Sequence, residues 1–421
     1  MNRVRKNGQL RFELFPVRGY PCIGCDIVAH SCIFSKVLVG LLIFDVAIIG
    51  GGLAGSALAT ILTRKNVKVA LIEPKREYPD CFKAEKLEPD QWQLLEKHDL
   101  LRFVLPVCES ISCVHVAAEG REFGAVSLRQ YGFLYHNLVN RLREHFPSSL
   151  TIHWGPATRV NLGDDVQTVE LADGSTVDSR LVVIATGNFG RLHTQLGVTS
   201  HMVSRQHSFP FGFNINNAKG HFDFEALTYH GTEKRRGIDY LTLFNIPGAM
   251  RANLFTYWKP SDARIKSFSN DPKKVLLDHL PGLEQVLGEF EVVSKVERFA
   301  IDLYHVEQQV SPGVVFAGDA YQSVCPATGT GLSKILTDVD VLAELIVTDW
   351  LKTPGMSEEK IRSYYKDERK VGQDRNSLEL ATRRRKVAIE ISDFRYQIER
   401  IRDQMRMRRR MGRSERLITP A

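Results

Sequence analysis

Cysteine is scarce: seven in 421 residues, irregularly spaced. That is too few for a disulfide framework, and a reducing compartment, the cytoplasm, is the expectation. Long hydrophobic runs are missing near the front as well. The longest there, residues 37–44 resuming after Asp45 at 46–49, is too short to span a bilayer and leads straight into a glycine motif, unlike a signal-peptide core. Charge of either sign is balanced over most of the chain. Residues 357–421 carry 19 Lys/Arg against 11 Asp/Glu, which more than accounts for the formal net charge of +7. No aromatic stripe interleaves those arginines, so base stacking and specific nucleic-acid binding are not expected. The 43% hydrophobic content suffices for substantial cores and excludes a disordered or fibrous chain.

Residues 1–42 show neither a helical nor a strand period and are set aside as an extension. They hold Cys22, Cys25, His30 and Cys32, which begin like a zinc knuckle. The last spacing is one residue where a closed tetrahedral loop needs several, so no metal site is assigned. At the other end, residues 356–421 read as helix-prone and basic, with runs at 383–386 and 408–410. Such runs are usually solvated faces or tails; peripheral contact with an anionic membrane surface or another polyanion is the alternative.

Between the two ends the pattern sharpens. An apolar run at 45–49, a glycine turn, a helix-like stretch at 56–64 and a β-rich run at 67–72 ending on Glu73 make one βαβ unit. Helices are expected over 84–104 and 135–146, and strands at 151–154, 167–171 and 181–185. Residues 203–305 turn aromatic-rich and β-prone, at 211–215, 240–244, 252–257 and 290–296, with a helical interruption near 273–287. A buried strand returns at 314–317, followed by a glycine-rich turn and a helix over about 330–351.

Gly50-Gly51-Gly52-Leu53-Ala54-Gly55 matches G-x-G-x-x-G directly after a strand and at a helix start. Gly50 permits the tight turn, Gly52 lets a pyrophosphate approach the backbone, and Gly55 lets helix and strand pack closely. The N–H groups of the helix start, from Leu53 and Ala54 onward, then face the phosphates. Glu73, about twenty residues on, is placed to accept the hydroxyls of an adenosine ribose, and its charge disfavours a 2′-phosphate there. The second motif runs from Gly318 and Asp319 through Pro326 to Gly329, Thr330, Gly331 and Leu332. A carboxylate at a strand end suits the hydroxyls of a ribityl chain, and the glycines open the next helix toward a phosphate or the pyrimidine end of a flavin. NAD has no ribityl chain, so the pair of loops points to FAD.

The two motifs, about 265 residues apart around a β-rich insert, resemble the FAD-dependent monooxygenases of the p-hydroxybenzoate hydroxylase type, over residues 44–355. That family's second segment reads approximately G-D-A-A-H-x-x-x-P-x-x-G-x-G-x-N. Gly318, Asp319, Ala320, Pro326, Gly329 and Gly331 match it, Gln322 stands for the usual His, and Ser333 for the usual Asn. Lys83 occupies a place where the family often has an Arg near the flavin, keeping the charge but losing the planar fork. The family's middle motif, an Asp-Gly serving flavin and NAD(P)H, is here Thr186-Gly187, with His193 where an Arg would stand. Flavin-dependent halogenases and geranylgeranyl-reductase-like enzymes share the outer motifs and vary in this one. The W-x-W-x-I-P signature of tryptophan halogenases is absent.

The resemblance implies an α/β chain. Its parts are a discontinuous Rossmann-type FAD-binding domain (43–202 and 306–355), an inserted antiparallel β-sheet substrate domain (203–305) and a C-terminal helical extension. It implies monooxygenation of an apolar or aromatic small organic substrate: NADH or NADPH reduces FAD, O2 adds at the flavin C4a position, and the terminal oxygen passes to an activated carbon. Alternatives are a halogenase, a reductase of an unsaturated substrate, or a non-catalytic flavoprotein recruited through its basic tail. No catalytic base is identified; His207, His230 and His305 qualify only by titrating in a useful range. Phe209, Phe211, Phe213 and Tyr240 suit a ligand wall and a core equally. Trp258 suits a sheet or a substrate contact, and Cys325 is expected to be an inert buried thiol.

Overall fold

A computed structural model describes residues 43–389 apart from 216–221, 232, 234–235 and 308–309. The knuckle-like cysteines and the basic run at 408–410 lie outside the described residues. The chain opens with β1 (Ile43–Ile49), α1 (Leu53–Arg64) and β2 (Val69–Glu73), and the two strands pair in parallel from Val46 opposite Val69 to Ile49 opposite Ile72. Both strands are buried on both faces, which is why they read as continuous apolar runs and not as alternating ones. The chain then leaves this sheet for β3 (Lys86–Leu87), α2 (Pro89–Lys97) and the hairpin of β4 (Glu109–Ala118) and β5 (Arg121–Gly132). It returns through α3 (Tyr135–Arg143) to β6 (Thr151–Trp154), β7 (Ala157–Asn161), β8 (Gln167–Leu171) and β9 (Thr176–Ile184). The first sheet has the order β6-β2-β1-β9-β8-β7.

The long strand β10 (Thr199–Ile215) starts the second sheet, which continues through β11 (Ala226–His230), β12 (Ile238–Ile246) and β13 (Ala249–Thr256). Three short helices, α4 (Ala263–Asn270), α5 (Pro272–His279) and α6 (Leu283–Leu287), follow, then β14 (Glu297–Arg298) and β15 (Ile301–Glu307). The order is β14-β10-β13-β12-β11-β4-β5-β3, with β15 along the first half of β10. One face packs a core of Phe211, Phe213, Leu241, Leu243 and Leu254 against Phe268, Leu276 and Leu280 of the helical segment. Finally β16 (Val314–Phe316) rejoins the first sheet beside β9, and α7 (Gly331–Thr348), α8 (Glu358–Lys366) and α9 (Glu368–Ile389) complete the described chain.

Three local expectations change. The second sheet is not confined to 203–305: β3, β4 and β5 come from 86–132, and the β11–β4 pair is parallel. Most of β5 is exposed and carries no apolar period, so sequence patterning had nothing to detect there. The helix expected over 84–104 is a short strand, α2 and one further turn, interrupted at Asp99, which takes a left-handed φ of 56°. The strand expected at 290–296 makes only a single bridge, Val292 to Ile215.

A buried ionic cluster ties the C-terminal helices to the rest. Lys334 of α7 donates to Asp338 (3.0 Å) and to the Gly318 carbonyl (3.0 Å), while Lys370 of α9 donates to Asp338 (3.0 Å) and Asp374 (2.9 Å). The desolvation cost of four buried charges is offset only while every one is paired. Further along α9, Arg384 makes a two-pronged bond to Asp239 (2.8 and 2.9 Å) and Arg385 donates to the His207 carbonyl (2.6 Å). Two members of the basic run at 383–386 are therefore turned inward and not held out as a free polyanion surface. Lys370→Met, which leaves two aspartates facing one lysine, is expected to lower the unfolding free energy by about 3–5 kcal/mol. The exposed Lys352→Met should change it by less than about 0.5 kcal/mol; urea titration of both variants checks the contrast.

Candidate active site

The first glycine turn is dictated by close backbone approach. Gly50 has φ +106°, and a Cβ on it would lie 2.5 Å from the Ala185 carbonyl oxygen. A Cβ on Gly55 would fall 1.8 Å from the Gly50 carbonyl oxygen, so α1 can start here only with glycine. Gly52 is different: its nearest neighbour would be Tyr78 Cε2 at 3.8 Å, leaving open space over the backbone. The first turn of α1, with Leu53 and Ala54, has no acidic residue and no side-chain cap. The Tyr135 hydroxyl accepts only distantly from Leu53 N, at 3.4 Å. The positive end of the helix and most of its N–H groups therefore remain available to an anion.

Glu73 sits at the end of β2, where the sequence places it, but both its oxygens already accept backbone N–H groups. Gly51 N donates to Oε2 (2.6 Å) and Lys75 N to Oε1 (3.0 Å). Beside it lies Arg143, a residue that sequence reasoning missed. Its guanidinium donates to the carbonyls of Gly51 (2.9 Å), Lys75 (2.9 Å) and Arg76 (3.3 Å), with Glu73 Oε2 at 3.4 Å. The available signal was an arginine on the apolar stripe of α3, in line with the buried Tyr135, Leu138, Val139 and Leu142.

The second loop follows β16. Gly318, with φ +63°, turns the chain, and Asp338 accepts its N–H (2.8 Å). Asp319 and Ala320 are fixed through their carbonyls, which accept from Tyr304 Oη (2.9 Å) and His193 Nε2 (2.8 Å). Gly190 N donates to His193 Nδ1 (3.1 Å), which sets the neutral tautomer, and burial pushes its pKa down. His193, expected at the position of a cofactor-facing Arg, is thus a buried brace behind the loop, while Thr186 is exposed at the turn abutting Gly50. Thr330 is also turned away, its hydroxyl paired with that of Thr328 (2.7 Å). Gln91 of α2 donates to the Gly329 carbonyl (3.0 Å) and to Ser333 Oγ (2.9 Å), which accounts for Ser333.

Lys83, Asp319, Pro326, Gly329, Gly331 and Leu332 meet on one cavity of about 730 Å³. Gly50, Gly52, Leu53, Ala54, Gly55 and Glu73 lie outside it; Tyr135, bonded to Leu53 N, lines it and joins the two regions. The opposite wall is the second sheet together with Phe82, Phe299 and Ile301. Burial opposes the charge on Lys83, but Tyr135, Tyr78 and Asp319 around it win and hold its pKa above the ordinary lysine value. Glu85, also on the cavity, is pushed up to about 7 by burial, against the pull of Arg251, whose Nε donates to it at 2.8 Å.

Several open assignments now resolve. Phe209, Phe211 and Phe213 are core, and of the four aromatic candidates only Tyr240 faces the cavity. Its hydroxyl donates to the Ala327 carbonyl (2.8 Å), and Arg384 stacks on its ring at 4.5 Å. Trp258 is buried core. None of His207, His230 and His305 lines the cavity; burial lowers His207 to about 4. Cys325 is fully buried and its thiol is pushed up to about 11, which makes it inert as a nucleophile.

Among the described residues, no helix is long and apolar enough to cross a membrane. The family described as FAD binding domain matches residues 44–374. The chain is 24% identical over 335 residues to 3-demethoxyubiquinol 3-hydroxylase of Escherichia coli (strain K12), covering 72% of this chain and 79% of that protein. It is 26% identical over 345 residues to squalene monooxygenase of Rattus norvegicus, covering 72% of this chain and 54% of that one, so it spans about half the length of that relative. Its fold is shared with p-nitrophenol 4-monooxygenase PnpA from Pseudomonas putida DLL-E4, at TM-score 0.70 and 17% identity over 90% of this chain and 99% of the other. With that match over most of its described length, the chain belongs to the FAD binding domain family and is an FAD-dependent oxidoreductase.

Proposed function

We propose that this chain is a monooxygenase that holds FAD across both loops and oxidises an apolar or aromatic small molecule in the cavity between the second loop and the second sheet. The observation that carries this reading is the cavity itself. One wall is the backbone of the Asp319 to Leu332 loop, and the other is an aromatic sheet face, with Lys83 between them. The residues fit the cofactor: Gly52 leaves the space that a side chain would fill, and the start of α1 has no acidic or side-chain cap of its own.

In this reading the turn of Gly50, Gly52, Leu53, Ala54 and Gly55 receives the pyrophosphate. Glu73 receives the ribose, with its carboxylate and the Arg143 guanidinium fixing the turn from behind. Asp319 takes the ribityl hydroxyls, and Gly318, Pro326, Gly329, Thr330, Gly331 and Leu332 shape the loop around the ring system. Lys83 supplies positive charge at the flavin's edge. Bound FAD supplies redox chemistry with NADH or NADPH as reductant and O2 as oxidant. The protein contributes orientation and a largely apolar enclosure that keeps water from the reacting centre.

The purified protein should carry absorbance bands at about 370 and about 450 nm, those of an oxidised flavin. Substrate should stimulate NAD(P)H oxidation with matching O2 uptake in an oxygen electrode; a protein that binds no flavin even on reconstitution overturns the reading. Gly52→Val should fold normally, because its side chain enters open space, yet lose FAD. Thermal unfolding of the wild type rises with added FAD by mass action, and for Gly52→Val it should stay flat across the same FAD series.

A further inference from the structure

The turn Pro326–Thr328 lies in the middle of the second loop, and several distant elements meet on it. Ala327 is buried in a small apolar cluster with Cys325, Phe255 of β13, Leu303 of β15 and Ala381 of α9. Its carbonyl accepts from the Tyr240 hydroxyl of β12 (2.8 Å). Two residues on, the Gly329 carbonyl accepts from Gln91 of α2 (3.0 Å). The turn is thus held at two carbonyls by side chains from far along the chain, and Pro326 and Gly329 line the cavity beside Tyr240.

Tyr240 can serve as a strut only while its ring stays in one place. The ring packs on Phe255, with centroids 4.7 Å apart, and Arg384 Cζ lies 4.5 Å from its centroid. Arg384 is itself fixed, since Nε and Nη2 reach the two oxygens of Asp239, the residue before Tyr240, at 2.8 and 2.9 Å. The Tyr257 hydroxyl donates to the same carboxylate (3.0 Å). A planar guanidinium makes a two-pronged bond and stacks on a ring at once, which an ammonium does not. The contacts Asp239, Arg384, Tyr240 and Ala327 therefore lead from the end of α9 to the backbone of the loop. Arg385, the next residue, anchors α9 elsewhere, on the His207 carbonyl of β10 (2.6 Å).

Resting on the reading above that the second loop holds FAD, we propose that Tyr240 and Arg384 are positioning residues for the cofactor. Arg384 sets the Tyr240 ring, and the Tyr240 hydroxyl keeps the turn Pro326–Thr328 in its FAD-binding place before FAD arrives. When the binding-competent form is only partly populated, apparent affinity falls by that fraction. Loss of either residue frees the turn, FAD must restore it, and binding weakens. The affinity of the cofactor site is thereby set in part from a helix that begins about forty residues beyond the loop.

The test titrates FAD into the full chain stripped of flavin and follows the change in flavin absorbance. Tyr240→Phe keeps the ring and removes one oxygen; it should weaken FAD about fivefold, the size expected of one hydrogen bond. Arg384→Met should weaken it by a similar factor. The double variant should be less than about twofold weaker than Tyr240→Phe alone, because two residues acting along one path do not add. Arg385→Met removes the neighbouring anchor of α9 and is the control: its effect should stay under about twofold and add in full to that of Tyr240→Phe. Wild-type affinity in Tyr240→Phe would overturn the proposal. So would an Arg384→Met loss that Arg385→Met reproduces, or one that adds in full to Tyr240→Phe. Should Arg384→Met not fold, Tyr240→Phe still decides the outcome. A wild-type chain that takes up no FAD would undo the parent reading, whereas tight FAD binding indifferent to Tyr240 would undo only this inference.

Discussion

Two lysines and two aspartates, closed off from water between α7 and α9, set the geometry on which the cofactor loop depends. Asp338 spends one oxygen on Gly318 N and Lys334 and the other on Lys370. Lys334 also donates to the Gly318 carbonyl, so both polar groups of that glycine are held by the cluster. Removing charges from water costs several kcal/mol per ion and is recovered only by complete pairing. The aromatic rings around Lys370, with Tyr321 at 3.9 Å from the ammonium to its centroid, add a further favourable contact. The position of Asp319 on the cavity thus follows from residues at 334, 338, 370 and 374, and the helices α7 and α9 hold the second loop in place.

The sequence was most readable where backbone geometry itself demands a residue type. Gly50 and Gly55 are forced by the approach of Ala185 and by the packing of α1 on its own entry turn. The run from β16 through Gly331 was equally legible, because a buried strand, a left-handed glycine and a helix start are each local events. What stayed hidden depends on pairing across long separations. The β4–β5 hairpin adds to the second sheet through a parallel contact with β11, about a hundred residues away, and its exposed second strand has no period to detect. Arg143 and Glu85 look ordinary in sequence, and only burial against particular carbonyls or against the Arg251 guanidinium marks them.

The basic run at 383–386 shows the same limit from the other side. Counting charges suggested a solvated or polyanion-binding face, yet Arg384 is committed to Asp239 and to the ring of Tyr240, and Arg385 to a carbonyl of β10. The sheet wall of the cavity and the second loop are thereby gripped by one helix: α9 holds Asp338 near its start and Tyr240 near its end.

The strand β10 carries a mechanical consequence. Its first half pairs with β15 and its second half with β13. In turn β15 is bonded to the cofactor loop, Val306 N donating to the Tyr321 carbonyl (2.8 Å) and Ser323 N to the Tyr304 carbonyl (3.1 Å). Backbone hydrogen bonds therefore link the loop, through two strands, to the sheet that faces the cavity. A hinge works by letting a few dihedral angles absorb a rotation; the irregular stretch of this path is Met202 to Ser208, where the β10–β15 register shifts twice and Gln206 takes a φ of +45°. The two walls of the cavity are thus joined through one strand, and any change in their separation would have to pass through the irregular stretch between Met202 and Ser208.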